Sequence, residues 1–166
     1  MVLLRNERQP KGSGVLALGD PDYKAPREKN AKALYGRGSR LKTLPFTREE
    51  AIAVGQTVLL GEQASESGLK AALAAKQGRW RAVHLACHGL IDARRPGLSS
   101  LALTRAGDED GFLTALEVLR MQVPADLAVL SACETATGKL EGGEGIVGLT
   151  RAFMYAGTPR VICSLW

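Results

Sequence analysis

The sequence predicts an α/β domain built on a mostly parallel central sheet, with helices on both faces. Three observations predict it. Apolar runs of strand length recur at 15–18, 57–60, 82–86, 127–130 and 161–166. Segments with helical caps and helical apolar spacing stand between most of them. Strand and helix therefore alternate, the pattern of right-handed crossovers in a parallel sheet. The 166 residues, 45% of them apolar, suffice for one domain with a proper core.

Residues 15–18 (Val-Leu-Ala-Leu) form the first strand and end at the turn signal Gly19-Asp20-Pro21-Asp22. Residues 20–47 are polar, basic and broken by Pro21, Pro26, Gly36, Gly38 and Pro45, so they read as a long surface loop. Thr47 is placed to cap a helix through Ile52, with Glu50 completing a capping box. A short strand follows at 57–60. Ser65 or Ser67 opens a second, alanine-rich helix that runs towards Gly78.

The strand Ala82–Ala86 comes next, and His84 within it reads as a core histidine. Residues 100–104 and 111–113 resemble a hairpin around Gly107–Gly111. Thr114 and Glu117 form a capping box for a helix through Val123, which Pro124 ends. After the strand at 127–130, a glycine-rich loop at 138–145 leads into a helix through Leu149, Ala152, Phe153 and Ala156. Residues 161–166 form a last apolar strand. An apolar edge strand with no following helix implies either missing chain or a covering partner, and homo-oligomers through 161–166 are expected.

Composition narrows the function classes. No apolar run reaches the roughly 18–20 residues needed to span a bilayer, and the N-terminus lacks the apolar stretch of a signal peptide. Three scattered cysteines argue against a disulfide framework. A soluble cytoplasmic protein with reduced thiols is the expectation. Residues 1–48 carry 11 Lys and Arg against 4 Asp and Glu, a net of +7, whereas residues 49–166 carry a net of −2. The basic segment lacks aromatic interleaving and any nucleic-acid motif, so it reads as a solvated loop and implies neither nucleic acid nor membrane as partner. Cys87, His84, Cys133 and Cys163 do not show zinc spacing, and no metal or cofactor is expected. Gly143-Glu144-Gly145-Ile146-Val147-Gly148 matches a dinucleotide pattern. It begins about a dozen residues after the preceding strand, however, and no acidic residue follows about 20 positions on.

His88 and Cys133 are the candidate chemical pair. Each stands just past the end of an apolar strand, and functional groups of open α/β sheets gather at carboxyl strand ends. An imidazole and a thiol on neighbouring strand ends form a base and a nucleophile.

The motifs around this pair resemble those of CHAT domains, caspase-like modules often attached to tetratricopeptide (TPR) repeats. Val83–Gly89 resembles the family's histidine motif, and Leu130–Thr135 its cysteine motif. The similarity continues through Gly143–Gly145, Gly148–Phe153, Ala156-Gly157 and Ser164–Trp166. It is weaker at Gly19–Pro21, Leu44-Pro45 and Glu49–Ala51. The resemblance implies a caspase-like three-layer sandwich and a cysteine endopeptidase acting through a His88/Cys133 dyad. The backbone N–H groups of Gly89 and Cys133 would then form the oxyanion hole. It also implies one domain over residues 1–166 that lacks segments at both ends, and control by a TPR or other sensing region outside this chain. A protein is the implied substrate. Two rival readings are a caspase-like scaffold that binds without cutting and a nucleotide-binding module.

Overall fold

The computed structural model describes residues 11–24, 41–92, 94–132 and 144–164. Among them the elements run, in chain order, β1 (Val15–Pro21), α1 (Thr47–Val54), β2 (Thr57–Gly61), α2 (Glu66–Ala75), β3 (Ala82–Ala86) and β4 (His88–Leu90). Then come β5 (Ser100–Ala102), β6 (Phe112–Thr114), α3 (Ala115–Val118), β7 (Ala128–Ser131), α4 (Glu144–Tyr155) and β8 (Val161–Cys163). The central sheet has the order β2-β1-β3-β7-β8, and every neighbouring pair is parallel. A smaller antiparallel sheet, β4-β5-β6, sits beside it.

Strand alternation divides the central sheet into two faces. Leu16, Leu18, Val83, Leu85 and Leu130 enter the main core with Leu69 and Leu73 of α2 and Leu149 and Phe153 of α4. Ala17 and His84 belong to the opposite face, where α1 lies: His84 pairs with Glu50 of that helix, and Gly55 at its end abuts Ala17. Helices therefore cover both faces, as the alternation of elements predicts. Close approach of α1 explains Gly19. A Cβ there would strike the Thr47 carbonyl and lie 2.8 Å from the Ala51 Cβ. Gly19→Ala should cost about 1–3 kcal/mol by overpacking, read as a lower urea midpoint.

The capping expectations divide. Ser65 caps α2, its hydroxyl accepting the Gly68 N–H at 3.1 Å. Thr114 and Glu117 form the full capping box of α3. Thr114→Ala should lower stability by about 1 kcal/mol in urea unfolding. Thr47, in contrast, is the first residue of α1 and not its cap. Phe46 precedes it in the left-handed region at φ 74°, and no side chain caps the helix. The Thr47 hydroxyl instead accepts the Asp20 N–H at 3.2 Å and donates to the Leu44 carbonyl at 3.1 Å. Tertiary demand thus overrides the local capping signal.

Two further differences bear on function. The helix predicted through Val123 ends at Val118, because the chain tightens into turns and the Val123 N–H reaches the Ala156 carbonyl at 2.7 Å. And His88, expected just past the end of its strand, opens a strand of its own, β4, antiparallel to β5. Three residues are too few for a periodicity signal. In the segment read as a basic loop, residues 25–40 lie outside the described residues.

Candidate active site

β3 runs through the core and delivers the chain to the carboxyl edge of the sheet. Its side chains alternate up to Cys87, which is fully buried in the main core. Burial without a charged neighbour pushes the Cys87 thiol up to about 12. This thiol is packing material, not a nucleophile.

His88 follows and is buried, at 5% exposure. Its Nε2 lies 2.7 Å from the backbone carbonyl of Lys42. A carbonyl oxygen only accepts, so Nε2 carries the hydrogen and donates it. In the neutral ring this leaves the basic lone pair on Nδ1. The His88 backbone N–H donates to the Tyr23 hydroxyl at 3.3 Å, and the two rings meet with centroids 5.1 Å apart, tilted by 51°.

Both contacts come from the ends of the 20–47 segment, and local chemistry brings those ends together. Asp20 and Phe46 are the non-glycine residues with positive φ among the described residues. Thr47 binds the Asp20 backbone, while Arg48 pairs with the Asp20 carboxylate at 2.8 Å. The Thr104 hydroxyl accepts the Asp22 N–H at 2.8 Å and donates to the Gly61 carbonyl at 2.6 Å. Tyr23 and Lys42 are thereby held against His88 from opposite ends of one excursion.

The second strand end is β7. Its registered partners on β3 run to the pair Ala86↔Ser131. The Cys87 N–H continues the pairing with the Ser131 carbonyl at 3.2 Å. Ala132 is buried, and its N–H donates to the Ser164 hydroxyl at 3.1 Å. Cys133 lies outside the described residues, as do residues 134–143 of the glycine-rich loop. Gly89 lies inside β4 opposite Leu101. This corrects the expectation that its backbone stands beyond the last strand residue.

Beside Gly89, a small and largely apolar hollow opens at the carboxyl ends of β7 and β8, bordered by Leu101, Ala132, Ile146 and Cys163. Burial raises the Cys163 thiol above its ordinary value. Helix packing accounts for two glycines of the dinucleotide-like pattern. A Cβ on Gly145 would strike Ile91 and lie 2.8 Å from the Ser99 hydroxyl, and one on Gly148 would lie 3.0 Å from the Pro96 carbonyl. Among the described residues no group of three or more His, Cys, Asp or Glu side chains is arranged to hold a metal ion.

Neither of these contacts on His88 is legible in the sequence. Lys42 acts through its carbonyl, which no side-chain pattern reveals. Tyr23 carries a weak signal, as a lone aromatic directly after the Gly-Asp-Pro-Asp turn in a chain with 5% aromatics.

A parallel five-stranded sheet with helices on both faces, and a histidine at its carboxyl edge, is consistent with a caspase-like fold. The CHAT domain family model matches residues 2–166, and the chain belongs to that family, which is related to caspase-like cysteine peptidases. Among curated proteins it is similar to tetratricopeptide repeat protein 28 of Homo sapiens, 43% identical over 55 residues, which is 33% of this chain and 2% of the relative. The tetratricopeptide repeat protein 28 of Mus musculus is 41% identical over the same length, again covering 33% of this chain and 2% of the relative. Among the described residues no helix is long and apolar enough to cross a membrane.

Proposed function

We propose that this chain carries a cysteine endopeptidase site in which His88 and Cys133 act as a dyad on protein substrates. One observation carries the reading. The last registered pair of β3 and β7, Ala86↔Ser131, stands two residues before His88 on one strand and two before Cys133 on the other. Adjacent strands lie about 4.8 Å apart, so residues two steps beyond a paired position have little chain in which to diverge. The Lys42 carbonyl supports the same reading, because it leaves Nδ1 as the basic nitrogen of a neutral His88.

In this reaction Nδ1 of His88 takes the proton of the Cys133 thiol, and the thiolate attacks the peptide carbonyl carbon. The carbonyl oxygen becomes an oxyanion, held by the backbone N–H of Cys133. Collapse breaks the C–N bond, and the Nδ1 proton passes to the leaving amine. A thioester remains on Cys133. Water then attacks it and gives a proton to Nδ1, and the thiolate leaves with the proton returned to it. No metal or organic cofactor is required.

The protein is proposed to act in the cytoplasm, where the Cys133 thiol stays reduced. Its relatives' names support association with tetratricopeptide repeats, which would govern access to the site. Residues 1–166 are taken as one domain, and the exposed Ile162 on edge strand β8 marks where a second copy would pair. Incubation with a peptide library, read by mass spectrometry, tests the activity. Cleavage is expected from the wild type and from neither Cys133→Ala nor His88→Ala. Saturable peptide binding without cleavage in the full-length protein would replace this reading with that of a scaffold.

A further inference from the structure

We infer that Tyr23 is a positioning residue for His88, fixing the imidazole through both its hydroxyl and its ring. The inference rests on the proposed dyad for its consequence, but not for its geometry.

His88 opens β4, and a strand end frays unless something closes it. Across the β4–β5 pair, His88 stands opposite Ala102. The Tyr23 hydroxyl bridges these two residues. It accepts the His88 N–H at 3.3 Å and donates to the Ala102 carbonyl at 3.2 Å. One oxygen therefore ties the backbone of the histidine to the neighbouring strand. The ring does separate work. It packs with Leu41 against the small buried cluster of Leu90, Ala102 and Phe112, so its plane is itself fixed. From there it meets the imidazole at 5.1 Å.

Among the described residues, Tyr23 thus holds the backbone N–H of His88 and meets its ring, and the Lys42 carbonyl holds its Nε2. Those constraints choose one rotamer and one tautomer. A base that has lost them spends time with Nδ1 turned away from its partner, and small misplacements of reacting groups are costly. A tyrosine that served only the fold would lower stability when altered and leave the tautomer of His88 unchanged.

Two variants separate these roles. Tyr23→Phe keeps the ring and removes the hydroxyl bridge, whereas Tyr23→Leu removes both. The first readout is 15N NMR of the imidazole nitrogens. The chain has two histidines, so His84→Gln assigns the spectrum. The second is the alkylation rate of Cys133 by iodoacetamide near neutral pH. At alkaline pH, where the ring is neutral, wild type should show His88 as a single Nε2–H tautomer. Tyr23→Phe should show tautomer averaging and about three- to tenfold slower alkylation, in line with one lost hydrogen bond, and Tyr23→Leu a larger loss. If Tyr23→Phe matches wild type in tautomer and rate while His88→Ala slows alkylation, the inference is overturned and the dyad stands. If His88→Ala leaves alkylation unchanged, the dyad fails, and the NMR readout alone decides whether Tyr23 orients the ring. Should Tyr23→Leu not fold, Tyr23→Phe carries the test by itself.

Discussion

His88→Ala should slow alkylation of Cys133 at about pH 6 by about a hundredfold, and Cys133→Ala should abolish the labelled peptide altogether. The magnitude follows from thiolate population. A free thiol with a pKa of about 8.5 is only about 0.3% ionised at pH 6, whereas a thiolate paired with an imidazolium is mostly ionised there. The other two cysteines provide the contrast. Cys87 is fully buried with its thiol pushed up to about 12, and Cys163 is raised by burial. Neither should label at about pH 6, so site-mapped mass spectrometry should find one modified cysteine. Equal labelling of Cys163 and Cys133, indifferent to His88, would contradict the expectation.

Glu66→Gln should flatten the dependence of stability on pH. Glu66 begins α2, and its side chain is 2% exposed. Burial raises its carboxyl from 4.5 to about 7, with help from the nearby charges of Glu117, Glu109 and Asp110, while Lys70 opposes the rise. Lys70 is divided: it lies 3.5 Å from Glu66 Oε2 and 2.6 Å from Glu109 Oε1. Glu66 Oε1 is buried without a hydrogen-bond partner among the described residues.

A carboxyl whose value is raised by folding binds its proton more tightly in the folded state. The associated stability is complete below the unfolded value of 4.5 and is lost as pH climbs through about 7. The span corresponds to at most about 3 kcal/mol. Wild type should therefore lose urea resistance between about pH 5 and pH 8, and the neutral glutamine variant should lose less, ending more stable than wild type at the alkaline end. Parallel curves for the two proteins would show that Glu66 does not carry the effect.

The sequence makes the parallel sheet legible because its strands are buried runs bounded by turn residues and capped helices. Ser65 and Thr114 cap as expected, since their partners lie within three residues. Thr47 does not, because its hydroxyl is claimed by Asp20 and Leu44, contacts that exist only after β1 and α1 have packed. β4 escapes prediction for a related reason. Its three residues become a strand through pairing with β5, not through any pattern of their own.

At the site, His88 and Cys133 stand out because side-chain chemistry at strand ends is visible in a sequence. Their supports do not. The groups that orient His88 are a backbone carbonyl at Lys42 and a hydroxyl at Tyr23, 46 and 65 positions away. Glu66 is also hidden. As the first residue of a capped helix it reads as a favourable surface charge, and only the folded structure shows it buried near Glu109, Asp110 and Glu117.

The most direct test of the dyad is the pH titration of the His88 ring nitrogens by 15N NMR, in wild type and in Cys133→Ala. His84, paired with Glu50 on the other face of the sheet, serves as the internal control. Removing the thiol should displace the His88 curve by about one unit or more while leaving His84 in place, as for any two groups that share a proton. Superimposable His88 curves would mean that the imidazole and the thiol do not interact, and the dyad would have to be abandoned.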